Sequence, residues 1–596
     1  MNFVNIHNKN NGGIMKKVGK VILWILAIIG CLTIIFSIIL TSTIAGFVKE
    51  KKVKIADNSY LEMNLSGIHR DYNKYRNIPF VKEEISLESI CKKLETAKND
   101  KRIQGIILKP GFYQAGWALT KEIRNALLDF KKSEKKIYAY LDIAVDKSYY
   151  ISASADKIYL NPALSGGILL TGIGSEFSFY KGFFDKLGVK FITLQKGKYK
   201  GAAEQLSRKN MSKPLKESIV RVFDVYYDQY LKDIAESRKL PYEKIKYIFE
   251  NRDKLFINGK DAIKYGLVDE LITEEDFYNK LSFGKELNKI KIEDYPEKTA
   301  TLSANKIAVI YAQGPIVMER SKDFAFSPDY RYIVPKEIVE MLDKSKEDKS
   351  VKAIVMRVDS PGGSALASDI IWRKIEEVKQ TKPVVVSMGN VAASGGYYIS
   401  CCANYIVAEP NTITGSIGVI GLFPCWENLR HKLDINTEII KRGKFSAFLS
   451  PNFTPSQENI KYLDDMMEDV YVEFKEKVAK ARNLSIMQVE KIAQGRIWSG
   501  IDAKQNKLID ELGGLDIAIK KAAELANITA YRTIVMPHKK GIIDFIKENK
   551  MISTYSIVNS LFKDSKIVND LKQTQILMDI MKNEPVLLLM PQIEIN

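Results

Sequence analysis

Two hydrophobic rhythms alternate along this chain. Short apolar runs of strand length stand between longer stretches that return an apolar residue every third or fourth place. Residues 103–108, 353–358 and 384–388 are runs of buried-strand character. Behind Val358 comes Asp359-Ser360-Pro361-Gly362-Gly363-Ser364, and the spacing then predicts a helix over about 365–379, with Leu366, Ile370, Ile375 and Val378 on one face. Residues 60–67 read as a strand ending in a turn, and 307–314 echo them. Strands alternating with helices predict βαβ units around a largely parallel sheet, an α/β fold.

The rhythm is written twice. Tyr149-Tyr150-Ile151-Ser152 recurs as Tyr397-Tyr398-Ile399-Ser400, and Leu267-Val268-Asp269-Glu270-Leu271 as Leu508-Ile509-Asp510-Glu511-Leu512. The copies differ where chemistry is at stake. Ser394, in Ala393-Ser394-Gly395-Gly396, faces Asp146 in the first copy. Lys200, in Gly197-Lys198-Tyr199-Lys200-Gly201-Ala202, faces Phe445 or Ser446 in the second once Gly197 is set on Gly443. One copy supplies a serine, the other a lysine. A chain of 596 residues exceeds one core. The expected division is an N-terminal tail (1–20), a membrane segment (21–48), a first repeat carrying the lysine (55–288), a polar linker containing Pro296 (289–305), a second repeat carrying the serine (306–532), and an extension without a partner segment (533–596).

Residues 21–48 are almost unbroken apolar and are flanked by Lys16, Lys17 and Lys20 and by Lys49, Lys51 and Lys52. At about 1.5 Å per residue the run more than spans a bilayer core. It is longer than the apolar part of a cleaved signal peptide, so an uncleaved transmembrane anchor is expected. Met15, followed by two lysines, is an alternative start of translation. The net charge of +18 is spread along the chain without an aromatic-interleaved basic motif, which argues against a nucleic-acid partner and for proximity to anionic lipid. Five cysteines without CxxC spacing indicate neither a zinc site nor a disulfide framework.

A serine hydroxyl attacks only when a base removes its proton and donors face the oxygen that turns negative. Ser394 stands between a predicted strand and a predicted helix start, where free amides and the positive helix end gather. Gly362 and Gly363 can bring a further amide close; the same small residues also suit plain strand–helix packing. The histidines are His7, His69, His431 and His538, none of them in a repeated motif near the serine, so a Ser-His-Asp triad is not expected. A lysine base must lose its charge, which burial achieves. Lys200 is followed by Gly201-Ala202-Ala203, a small apolar setting, and Lys196 and Lys198 would add repulsion if near in space, although lysine runs are commonly solvated surface. Ser416, in Gly415-Ser416-Ile417-Gly418, is either an orienting hydroxyl for the lysine or a turn serine.

At these residues the chain resembles a known family. Residues 357–421, Gly197 to Glu204 and Gly495 to Gly514 strongly resemble the long, duplicated form of bacterial signal peptide peptidase A, or protease IV. The resemblance implies tandem Clp-protease/crotonase-like α/β domains (ββα-type repeats) after one N-terminal transmembrane helix. It implies Ser394 as nucleophile, Lys200 as general base, Ser416 as helper hydroxyl, and an oxyanion site from Gly395 and the Gly362-Gly363 turn, with no cofactor and no metal. It further implies a homotetramer on the outer side of the bacterial cytoplasmic membrane, a single-pass anchor in the lipid bilayer, and signal peptides as substrates. After the lysine the family commonly reads Ser-Ala-x-Glu-Pro-Phe where this chain has Gly201-Ala202-Ala203-Glu204-Gln205-Leu206. Two other readings stand beside the membrane-anchored serine endopeptidase: a crotonase-like acyl-CoA enzyme, and an inactive protease-like membrane scaffold.

Overall fold

The computed structural model describes residues 24, 30, 31, 34, 54–73, 85–297, 303–320, 331–448, 450–538, 586–591, 593 and 595. The larger of its two compact units, residues 55–74, 83–539 and 546–596, contains both sheets and the site described below. Of the apolar run 21–48 only Trp24, Gly30, Cys31 and Ile34 are described, all helical, so the expected anchor lies otherwise outside the described residues. Among these no helix is long and apolar enough to cross a membrane.

The first repeat builds a sheet of six strands in the order Lys289–Lys291, Ser59–Ile68, Ile103–Gln114, Lys136–Leu141, Lys157–Leu160 and Glu270–Leu271. Every pairing in it is parallel. Parallel neighbours need crossovers, and helices Leu87–Asn99 and Trp117–Lys131 supply them. Ser86 caps the first of these by accepting from Ser89 N, and Ile90, Leu94 and Ala97 recur at helical spacing on its buried side.

The second repeat repeats the plan with Arg532–Met536, Lys306–Gln313, Val351–Ser360 and Val384–Ala393, again all parallel. At Val384–Ala393 the sheet forks. Residues 385–388 pair with Tyr405–Ala408, while residues 391–393 pair with Ile413–Gly415, which runs antiparallel to Ile497–Ser499. The first repeat has the same fork in two separate strands, with Ile143–Val145 on Gly167–Leu169 and the latter antiparallel to Phe256–Asn258. In both copies the fork opens where the strand turns into a helix, at Asp146–Ser152 and at Gly395–Ser400.

Three expectations need correction. Lys289–Lys291 is an edge strand of the first sheet rather than the start of a linker; only Ile290 of the three is buried, so no apolar run betrays it. Its counterpart Arg532–Met536 crosses the boundary placed at 532. The helix Ala365–Val378 turns a different face inward, with Ala367, Ile371, Ile375 and Val378 buried and Leu366 exposed.

Among the contacts that join the copies, two stand out. The Arg357 guanidinium, fully buried, donates to Asp71 at 2.6 Å and to Glu122 at 2.5 Å, both from the first repeat. Lys190–Lys196 of the first repeat runs antiparallel to Val419–Cys425 of the second, from Lys196 opposite Val419 to Lys190 opposite Cys425. This ladder carries the lysine-bearing loop to the fork of the second sheet.

Candidate active site

Ser394 is the hinge between strand Val384–Ala393 and helix Gly395–Ser400, with φ 56° and ψ −114°. A serine held in that region costs on the order of 1–3 kcal/mol, and surrounding bonds must enforce it. Its amide donates to Gly415 O at 2.8 Å and its carbonyl accepts from Tyr398 N at 2.8 Å. Neither bond uses the side chain.

Lys200 meets it there. Its Nζ lies 2.7 Å from Ser394 Oγ, 2.6 Å from Ser416 O and 3.0 Å from Ser416 Oγ, within hydrogen-bond reach of each. All three residues are completely buried. Burial pushes the Lys200 amine well below its ordinary range, because desolvation disfavours the ammonium. The anticipated repulsion from Lys196 is not its cause: Lys196 is turned to Asp464 and Glu468, 3.0 Å from each.

The lysine reaches this depth because neighbouring backbones come unusually close. Gly197, at φ 104°, lies against Gln494, where a methyl group would stand 2.3 Å from the Gln494 carbonyl carbon. Tyr199 N donates to Gln494 O at 2.8 Å, pinning the turn. Beyond the lysine, Ala203 opens a short helix and the buried Glu204 accepts from Ser212 N at 2.8 Å, so Gly201-Ala202-Ala203-Glu204 forms an ordered turn. Ser416, also at positive φ (50°), is fixed by its amide donating to Arg496 O at 2.7 Å.

The glycine turn lies close by. Gly395 is the first helical residue, so its amide has no partner within the helix. A methyl group on Gly395 would lie 3.2 Å from Gly363 N, which puts these two amides side by side. Gly362 departs from the expected donor set: its amide donates to Ser360 Oγ at 3.1 Å, so it shapes the turn at φ 98° and does not face Ser394 as a donor.

The first copy shows what replaces a serine. Asp146 accepts from Thr171 N at 2.9 Å, Thr171 Oγ1 at 2.7 Å, Gly172 N at 3.0 Å and Tyr230 OH at 3.0 Å, which ties its carboxylate into the fork. His69 contacts the Ser66 and Ile85 carbonyls and has no bond to Ser394. Among the described residues no group of His, Cys, Asp and Glu is arranged to hold a metal ion. Sequence reasoning missed Gly495, which flanks Lys200, and Asp359, whose carboxylate accepts from Val391 N at 3.0 Å and steadies the strand before Ser394. A glycine just outside a repeated strand, and an acid at the start of a glycine turn, were the available signals.

A buried hydroxyl and amine at the end of a parallel strand, beside two converging backbone amides, define a hydrolase of the serine type. Comparison with known proteins gives the particular class. The model of peptidase family S49 matches twice, at residues 129–288 and 376–529. Protease 4 of Haemophilus influenzae is 34% identical over 507 residues, covering 82% of this chain and 79% of that protein. The chloroplastic serine protease SPPA of Arabidopsis thaliana is 33% identical, covering 81% and 71%. An Enterococcus faecium protein named as a signal peptide peptidase SppA is 32% identical over 42% of this chain and 72% of its own length. Among solved structures, a ClpP1 variant from Listeria monocytogenes overlaps 35% of this chain and 94% of its own, at 16% identity and a TM-score of 0.24. The chain belongs to peptidase family S49, as a tandem serine peptidase.

Proposed function

We propose that this chain is a membrane-anchored endopeptidase in which Ser394 is the nucleophile and Lys200 its general base, and that it degrades cleaved signal peptides at the outer face of a bacterial cytoplasmic membrane. The observation that carries the reading is the 2.7 Å contact between Lys200 Nζ and Ser394 Oγ in a site closed to solvent. A neutral amine has two N–H donors and one lone pair. The Ser416 carbonyl can only accept, so one N–H goes there, at 2.6 Å, and the other to Ser416 Oγ. The lone pair is left facing the Ser394 hydroxyl and takes its proton as Oγ attacks a peptide carbonyl. The amides of Gly395 and Gly363 would receive the developing oxyanion, and the protonated lysine returns its proton to the leaving amine.

The names of the relatives support peptides as substrates, and the sequence supports the anchor over 21–48. We read the forked parallel sheets as Clp-protease/crotonase-like domains and the assembly as a homotetramer. Ser394→Ala and Lys200→Ala, each purified with an unchanged melting temperature, should abolish hydrolysis of an apolar peptide and attachment of a phosphonate probe at residue 394. A Lys200→Ala protein with near-normal turnover at neutral pH sinks the assignment.

A further inference from the structure

The first repeat carries a cation where the second carries a bare glycine amide. With Asp146 set on Ser394, Lys147 falls on Gly395. Both stand at the start of the helix that follows the fork, in Asp146–Ser152 and in Gly395–Ser400. The side chain gained at this position has no part in the chemistry at Ser394.

Lys147 is half-buried and poorly matched by its surroundings. Its ammonium lies over the Trp117 ring, 5.5 Å from the centroid, and that ring packs edge-on against Tyr150 and Tyr230. Trp117 is buried, and its Nε1–H has no hydrogen-bond partner among the described residues. The neighbouring acid, Asp146, is already held by Thr171, Gly172 and Tyr230. What the amine does reach is a main-chain oxygen, Ile595 O at 3.3 Å. An ammonium has three N–H donors, and here it meets a neutral carbonyl rather than a counter-ion. Burial pushes the amine down to about 8 against the pull of Asp146, so it is mostly charged at neutral pH. A partly desolvated cation beside an unused indole N–H is donor-rich and lacks an anion, which is the environment a carboxylate completes.

This amine is within one peptide's reach of Ser394. Leu587–Leu589 pairs with Gly362–Ser364, and Met590 N donates to Pro361 O at 3.0 Å in the turn beside the nucleophile. Ile595, five residues on, is at Lys147. Five residues span at most about 17 Å.

We propose that Lys147 and Trp117 form a second peptide subsite, in the first repeat, which receives the terminal carboxylate of a peptide that is cut at Ser394. The proposal rests on reading Ser394 and Lys200 as the catalytic pair. It narrows the substrate to peptides already released by an earlier endoproteolytic cut: hydrolysis leaves a carboxylate at the new chain end, whereas an uncut precursor has a neutral amide at the same place.

The test reads binding without hydrolysis, by fluorescence anisotropy on the full chain carrying Ser394→Ala. The probe is an N-terminally labelled apolar peptide of about a dozen residues, long enough to run from residue 394 to Lys147, made as the free acid and as the amide. The acid should bind about tenfold more tightly than the amide, and adding Lys147→Met should make the two equal. Equal affinities on the parent chain overturn the proposal without need of the second substitution, so a Lys147→Met chain that does not fold leaves the test decisive. A preference that survives Lys147→Met in a folded chain also overturns it. An amidated peptide ending in glutamate that binds as tightly as the acid overturns the assignment to a chain end. The catalytic reading fails separately, if the Ser394→Ala chain still hydrolyses the peptide. In that event a preference for the acid in kcat/KM that disappears with Lys147→Met still supports the subsite, and its absence rejects it.

Discussion

Gly495 lies directly against Lys200: a methyl group at residue 495 would stand 2.5 Å from Lys200 Cβ and 2.6 Å from its Cα. Nothing there can swing aside, because two of the nearest atoms, Lys200 Cα and N, are backbone. Gly495 also holds φ 75°, which costs a side-chain-bearing residue about 1–2 kcal/mol. Gly495→Ala should push the lysine out of register with Ser394, lowering kcat at least tenfold and reducing stability by roughly that strain. Steady-state kinetics and a thermal melt check both, and an alanine variant with full kcat would show that the lysine tolerates displacement.

Much of this site was legible because its chemistry sits in short local motifs. Ser394 in Ala-Ser-Gly-Gly and Ser416 in Gly-Ser-Ile-Gly each lie beside a strand end, and the comparison of copies isolated Lys200 against Ser394. What joins them was not legible, since the pairing of Lys190–Lys196 with Val419–Cys425 links segments more than two hundred residues apart. The partners of Lys196 were hidden for the same reason: its acids, Asp464 and Glu468, come from a distant helix. The strand Leu587–Leu589 has no counterpart in the repeat, and only its pairing with the glycine turn gives it meaning.

Activity should rise with pH. Desolvation lowers the Lys200 amine well below its usual value of 10.5, and only the neutral form accepts a proton from Ser394. The profile of kcat/KM should climb through one apparent pKa below that of a free lysine and then level off. Lys200→Arg keeps a charged donor that does not lose its proton, so its activity should fall by at least about 10³-fold at every pH. An arginine variant whose activity recovers at alkaline pH would exclude the lysine as base.

Ser416 holds the lysine through two atoms of one residue, the carbonyl at 2.6 Å and the hydroxyl at 3.0 Å. Ser416→Ala removes only the second. The amine then loses the partner of one N–H, and kcat should fall by about 10- to 100-fold with KM little changed. Ser416→Gly suits the positive φ of 50° yet lacks the hydroxyl, so it should show the same loss in kcat with better stability than the alanine variant. Equal activity in wild type and both variants would reduce Ser416 to a turn residue.

Replacing Asp146 should not create a second site. The position aligned with Lys200 in the second copy is Phe445 or Ser446, and Phe445 is exposed. Asp146→Ser in a Ser394→Ala background should therefore stay inactive, while loss of bonds to Thr171, Gly172 and Tyr230 should lower the melting temperature. Hydrolysis by the double variant would show that the first copy kept a base of its own.

The junction between the copies should make stability depend on pH. Arg357 there neutralises Asp71 and Glu122 out of contact with water. Arg357→Met leaves two buried carboxylates uncompensated and should cost about 3–5 kcal/mol. Near them Glu409, buried and accepting from Asn125 Nδ2 at 3.2 Å, is pushed up to about 8, first by desolvation and then by Glu122. A carboxyl whose folded pKa lies above its unfolded 4.5 binds its proton more tightly in the native state. Its stabilising contribution is complete below 4.5 and is lost as pH climbs to about 8. Glu122, pushed up to about 7 chiefly by burial, adds a loss of the same sign. Glu409→Gln keeps the shape and the bond to Asn125 but cannot ionise. Melting temperatures measured from pH 5 to pH 9 should therefore decline more gently in the variant, which should exceed wild type at pH 9; equal slopes would place the titrating group elsewhere.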